Sequence, residues 1–146
     1  MANKLLVVIY GVENSGKTTI CCKFSECLTG LERKETTRND FIGKGCLGKI
    51  RVGVISFGDP DASTCTALKE NLEAYKDDVD ALVVACREGK KPYDSIKEFA
   101  DAHSFKMELL ETEKSKGSEE EINSVNTDFA RKIESKIKDF LTNNIF

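Results

Sequence analysis

The stretch Gly11-Val-Glu-Asn-Ser-Gly-Lys-Thr18 constrains the fold of this chain more than any other. Before it, Leu5 to Tyr10 reads Leu-Leu-Val-Val-Ile-Tyr, an aliphatic run of strand length. After it, Ile20, Phe24, Cys27 and Leu28 recur at helical spacing across Thr18 to Leu28. A strand therefore has to give way to a helix within a few residues. Gly11 lets the backbone leave the strand through conformations that a side chain would forbid. A strand, a glycine turn and a helix together form the first half of a β-α-β unit, which calls for a parallel sheet.

The residue types in the turn suit a polyphosphate. Val12 to Gly16 can curl so that successive N–H groups converge on one anion. The helix starts where they end, so its unpaired amides and its positive dipole end face the same point. A β-carbon at Gly16 would crowd the phosphate. Lys17 adds a point charge for the β- and γ-phosphates, and the Thr18 hydroxyl is placed for Mg²⁺. The candidate nucleotide-binding positions are thus Gly11, Glu13, Asn14, Ser15, Gly16, Lys17, Thr18 and Thr19. The spacing G-x-x-x-x-G-K-[ST] is the Walker A pattern, and on these residues the chain resembles the P-loop NTPase superfamily. The pattern is specific for the superfamily and unspecific for the activity, and it covers only the N-terminal part of the chain.

Length and charge exclude several classes. The 146 residues suit one domain, 1–146, with a full core but no large inserted lid. A net charge of −3 favours neither nucleic acid nor an anionic membrane as partner. No run approaches a membrane span, and the short apolar run near Lys4 has no cleavage site, so no signal peptide is expected. Six cysteines and a single histidine, His103, include no C-x-x-C pair, which speaks against zinc. The cysteines read as reduced small apolar side chains of a cytoplasmic protein.

Further along, Gly30 is expected to close the first helix. Leu31 to Lys49 reads as a long basic connection made supple by Gly43, Gly45 and Gly48, in which Phe41 to Leu47 could add an edge hairpin. In small GTPases the corresponding stretch is a switch with a threonine that senses the γ-phosphate, and Thr36 and Thr37 stand there. Ile50 to Phe57 reads as a buried strand that runs into Gly58-Asp59-Pro60-Asp61. A carboxylate at such a strand end is where P-loop enzymes hold Mg²⁺, so Asp59 is the first metal and catalytic candidate and Asp61 the second. Alternatively, Asp61 or Ser63 simply caps the next helix.

Ala62 to Lys76 follows as a helix carrying Cys65, Leu68, Leu72 and Tyr75 on one face. Asp80 to Cys86 is the third strand, with Arg87 the first residue beyond it and a candidate for neutralising a transferring phosphate. Pro92 suits the first turn of the next helix, whose buried stripe is Tyr93, Ile96, Phe99 and Ala100. His103 reads as a surface or capping residue. Phe105 to Leu110 alternates only in part, as an edge strand does. Ser118-Glu-Glu-Glu121 is a capping box opening a long helix to about Leu141 with a stripe of Ile122, Val125, Phe129, Ile133, Ile137 and Phe140.

The alternation of strands and helices predicts a three-layer α/β/α sandwich with a mainly parallel sheet of four or more strands. The late strand ends Ala85-Cys-Arg-Glu-Gly-Lys-Lys91, without the Asn-Lys-x-Asp of guanine-specific P-loop proteins, which tilts the reading to ATP with GTP as alternative. Against that tilt, Glu111-Thr112-Glu113-Lys114 faintly resembles the second guanine-side loop of small GTPases. Three functions fit: a slow ATPase, a kinase with a small acceptor near Asp59, Asp61 and Arg87, or a nucleotide-dependent interaction module. Lys17, Asp59 and Arg87 are the catalytic candidates, with Glu13 the nearest residue for orienting water. A protein partner would use the 31–49 segment or the C-terminal helix.

Overall fold

A computed structural model of the chain describes residues 4–11, 16–35, 40–57, 62–87, 90–112 and 117–145. The elements run β1 (Lys4–Gly11), α1 (Lys17–Ser25), β2 (Thr29–Glu35), β3 (Phe41–Leu47), β4 (Ile50–Ile55), α2 (Ala62–Tyr75), β5 (Ala81–Arg87), α3 (Lys90–Ala102), β6 (Phe105–Glu111) and α4 (Glu119–Ile145). One six-stranded sheet has the order β2-β3-β4-β5-β1-β6. The pairs β4–β5, β5–β1 and β1–β6 are parallel, whereas β2–β3 and β3–β4 are antiparallel. The protein is α/β, with four helices and a mostly parallel sheet among the described residues. Among the described residues, no helix is long and apolar enough to cross a membrane.

Strand β1 is flanked on both edges, by β5 from Leu5↔Ala81 to Gly11↔Arg87 and by β6 from Lys4↔Phe105 to Tyr10↔Glu111. Leu5 to Ile9 are wholly buried. Their side chains alternate between two apolar clusters, as the pleat requires. Leu5, Val7 and Ile9 pack with Ile20 and Phe24 of α1 and Ile133 and Ile137 of α4. Leu6 and Val8 pack with Leu68 and Leu72 of α2 and Ile96 and Phe99 of α3. A strand clothed on both sides reads as an unbroken aliphatic run, which is why β1 was legible from sequence.

The expected long connection from Leu31 to Lys49 is corrected by the structure. Most of it is sheet: β2 and β3 form an antiparallel pair, and the turn at Gly48 and Lys49 folds β3 back onto β4. The segment Phe41–Leu47 is itself strand β3. Strand β2 escaped notice because it lies at the sheet edge, exposed along nearly its whole length, and carries the charges of Glu32 to Glu35. Charge on an edge strand discourages pairing with another chain, but it also erases the apolar alternation that marks strands. The glycines of β3 supply space rather than suppleness. A β-carbon at Gly45 would lie 3.0 Å from Leu28 Cβ and 3.1 Å from the Thr29 carbonyl oxygen; one at Gly43 would lie 3.1 Å from Leu31 Cδ1. Thr36 and Thr37 lie outside the described residues.

Helix α1 is shorter than expected. It ends at Ser25, Cys27 is exposed, and Gly30 takes its positive φ of 61° inside β2 instead of closing the helix. At the other end of the chain, Ser118 caps α4: its Oγ accepts from the Glu121 N–H at 3.2 Å, and its hydroxyl donates to Glu121 Oε1 at 3.3 Å. The buried seam of α4 is Asn126, Ala130, Ile133, Ile137 and Leu141: Ile133 and Ile137 of the expected stripe are buried as expected, Phe129 and Phe140 are partly buried against the same cluster, and Val125 is 52% exposed. Contact with α1 sets this face, so a polar residue displaces an apolar one from the seam. Strand β6 takes an edge of the sheet.

The starts of β4 and β5 are locked together by Asp80. Its carboxylate accepts from the Arg51 N–H at 3.0 Å and from the guanidinium at 3.0 and 3.3 Å, while its own N–H donates to the Arg51 carbonyl at 2.8 Å. Burial pushes this carboxyl up, but the hydrogen bonds and charge of Arg51 outweigh it and hold the group below its ordinary 3.8. A depressed pKa contributes stability that is complete above the ordinary value and lost as the pH falls through the folded one. Asp80→Asn is expected to cost about 1 kcal/mol near neutral pH. The deficit should shrink below pH 3.8, which denaturant melts across acid pH can measure.

Candidate functional site

Parallel pairing brings the C-terminal ends of β4, β5, β1 and β6 to one rim of the sheet. The connection leaving β1 runs toward β4, past β5, whereas the one leaving β5 runs toward β6, past β1. Connections that depart in opposite directions open a crevice between the two strands, and open α/β sheets bind ligands in such crevices. Gly11 ends β1 directly opposite Arg87, the last residue of β5. At the next strand over, Thr112 follows β6 and is tied to Tyr10: its N–H donates to the Tyr10 carbonyl at 2.8 Å and its hydroxyl at 3.3 Å.

Glu13, Asn14 and Ser15 lie outside the described residues, as do Asp59 and Asp61. The described chain resumes at Gly16, the residue before α1, with φ 86° and ψ 13°. Gly16 is the N-cap residue and, having no side chain, leaves the first amides of α1 without a cap of its own. Lys17 and Thr18 stand half-buried in its first turn, and Thr19 is exposed. The structure therefore brings Gly11, Gly16, Lys17, Thr18 and Arg87 to the same edge. His103, just before β6, is at the opposite end of the sheet, where its Nε2 meets Glu73 Oε1 at 2.9 Å.

Gly16 is required for two reasons. Its left-handed backbone favours glycine. In addition, a β-carbon there would lie 2.7 Å from Oδ1 and 3.3 Å from Nδ2 of Asn126. Asn126 belongs to the buried seam of α4 and is only 5% exposed. A polar residue one turn before Ala130 thus places an amide against Gly16. Sequence reading missed it because it looked for apolar residues in the stripe.

A second group that sequence reading missed surrounds Thr18. The Thr18 hydroxyl donates to Asp40 Oδ1 at 3.2 Å, with the Ser56 carbonyl as a longer acceptor at 3.5 Å. One proton cannot serve both, and the shorter distance favours Asp40. Ser56 is buried at the end of β4. Its hydroxyl donates to the same Asp40 Oδ1 at 3.2 Å, and its Oγ accepts from the Phe41 N–H at 2.8 Å. Ser56 and Phe41 also pair through the backbone, the Ser56 N–H donating to the Phe41 carbonyl at 3.0 Å. Asp40 is thereby fixed just before β3 and aimed at the first turn of α1. The only hint in the sequence is its place immediately before an aliphatic segment; its nearness to Thr18 depends on the path of α1 over β5 toward β4.

Cys21 shares this neighbourhood. Burial, and then the negative charge of Asp40, push its thiol far up, while Lys17 pulls weakly the other way. The sulfur is a protonated, inert thiol at neutral pH. Cys21, Cys22, Cys27, Cys46 and Cys86 are all free.

Thr18 Oγ1 is an oxygen of the hard type that Mg²⁺ prefers, with the Asp40 carboxylate and the Ser56 carbonyl as its hydrogen-bond partners. Among the described residues, no three His, Cys, Asp or Glu side chains form a metal cage. Mg²⁺ held by one or two protein oxygens plus substrate phosphates needs none.

No family model and no curated protein matches the chain. Among solved structures it is similar to the crystal structure of APE1195, with a TM-score of 0.47 and 13% identity over 96% of this chain and 76% of that one. A likeness that distant carries no argument about this protein.

Gly16→Ala is expected to destabilise the fold by about 1–2 kcal/mol through backbone strain, plus the cost of displacing Asn126. Adding Asn126→Ala should relieve the second cost and leave the first. A double-mutant cycle in urea then gives a coupling of the order of 1 kcal/mol; additive values would show that the two residues do not press on each other.

Proposed function

We propose that this chain is a P-loop nucleotide-binding protein with a three-layer α/β/α sandwich, which binds a nucleoside triphosphate with Mg²⁺ and hydrolyses it slowly. One observation carries the reading. Gly16, in the left-handed conformation, is the N-cap of α1 and brings no side chain to it, at the rim where Gly11 of β1 faces Arg87 of β5. Lys17 and Thr18 follow in the first turn, so amides, a cation and a hydroxyl gather where an anion would be held. ATP is favoured over GTP because the segment after β5 lacks the guanine-reading Asn-Lys-x-Asp. The free cysteines suit a cytoplasmic setting.

In this reading, a water oxygen attacks the γ-phosphorus as the bond to the β–γ bridging oxygen breaks. The bridging electron pair leaves with the diphosphate, and the water proton ends on inorganic phosphate. Lys17 offsets the charge that grows on the bridging and γ-oxygens. Arg87, at the strand end opposite Gly11, is positioned to do the same for the transferring group. Mg²⁺, when bound, supplies neutralisation of the β- and γ-phosphates; the Thr18 hydroxyl would hold it, with Asp59 as the sequence-derived carboxylate. The described residues include no base set to orient water, which is in keeping with slow turnover.

Thermal melts with ATP and GTP, each with Mg²⁺ and with EDTA, test the proposal. A nucleotide at about 100 times its dissociation constant should stabilise the protein by about 2.7 kcal/mol. Lys17→Ala should lose this shift and any phosphate release. A wild-type protein whose melting temperature no triphosphate moves is not a nucleotide-binding protein. Phosphate release measured with and without small acceptors separates hydrolysis from kinase activity.

A further inference from the structure

Asp40 comes from the antiparallel hairpin, not from the end of a parallel strand, yet its carboxylate is held against Thr18. Resting on the nucleotide reading above, we infer that Asp40 is the residue that positions Thr18 for the divalent cation, and that Ser56 positions Asp40. A threonine hydroxyl has one proton and two lone pairs. By accepting the Thr18 proton at 3.2 Å, Asp40 would leave the Oγ1 lone pairs to a cation. Ser56 restrains the carboxylate through its hydroxyl at 3.2 Å and is itself pinned by the Phe41 N–H at 2.8 Å. Partners of this outer kind tune metal affinity by about 10- to 100-fold without touching the ion. The arrangement also links the exposed edge hairpin to the site, because the residue that opens β3 is the one bonded to Thr18.

The sign of the charge supplies a test that a merely structural role would not pass. With no cation present, the Asp40 carboxylate repels a polyphosphate at the start of α1; with a cation present, it favours the complex. Asp40→Asn keeps an oxygen that can accept from Thr18 and Ser56, so the fold should persist. Calorimetric titration of ATP into wild type and variant, in Mg²⁺ and in EDTA, gives the ratio of the two affinities. Asp40→Asn is expected to bind more weakly in Mg²⁺ and more tightly in EDTA, narrowing the ratio by about 10- to 100-fold. Ser56→Ala should narrow it less. An unchanged ratio, an equal loss in both buffers, or an effect confined to Asp59→Asn overturns the assignment while leaving nucleotide binding intact. A wild type that binds ATP in neither buffer overturns the nucleotide reading and this one with it.

Discussion

The structure depends on the burial of β1 between two parallel neighbours and two apolar clusters. Five consecutive aliphatic side chains, Leu5 to Ile9, are removed from water, alternately toward α1 and α4 or toward α2 and α3. Each such side chain contributes roughly 1.5–3 kcal/mol on burial. The strand can therefore neither slip its register nor twist away, since a shift of one residue would swap every side chain to the wrong cluster. Gly11, the last residue of this fixed rod, is held opposite Arg87 as a consequence. The candidate site has its position because the core has no freedom to move it.

From that anchor the site is assembled from three directions. Helix α1 brings Lys17 and Thr18 from the end of β1. Helix α4 brings Asn126 from the far end of the chain against Gly16. The hairpin brings Asp40 through Ser56 at the end of β4. Each contribution rests on a short polar contact backed by an apolar surface: Ile20 and Phe24 under the first, Ala130 and Ile133 beside the second, Phe41 and Val54 beneath the third. Hydrogen bonds set in such surroundings are worth more than at an exposed edge, because water competes less for their partners.

The edge hairpin shows how charge and shape divide the work in a strand. Strand β2 keeps Glu32, Arg33, Lys34 and Glu35 in water and packs little apolar surface. Its place is secured instead by β3, whose glycines let Leu28 and Leu31 approach the backbone closely. Arg33 adds a contact of its own, with its guanidinium 4.0 Å from the centre of the Phe41 ring. An edge built this way resists joining another sheet while Asp40 keeps its place just before β3.

Residue order alone determined the elements with strong periodicity: the apolar runs of β1 and β5, the stripe of α3, the capping box of α4 and the α/β alternation, because burial writes a local pattern into a strand or helix. It also singled out Gly16, Lys17 and Thr18 as site candidates, because they are neighbours in the chain. Only tertiary structure decided the rest. The exposed strand β2 has no pattern to read, the glycines of β3 answer to side chains of another segment, and the buried face of α4 was set by α1. Thr18 and Asp40 are separated in sequence by α1 and β2, Gly16 and Asn126 by most of the chain. Their contacts exist because parallel strands put the ends of distant segments on one rim, and no local pattern records such a meeting.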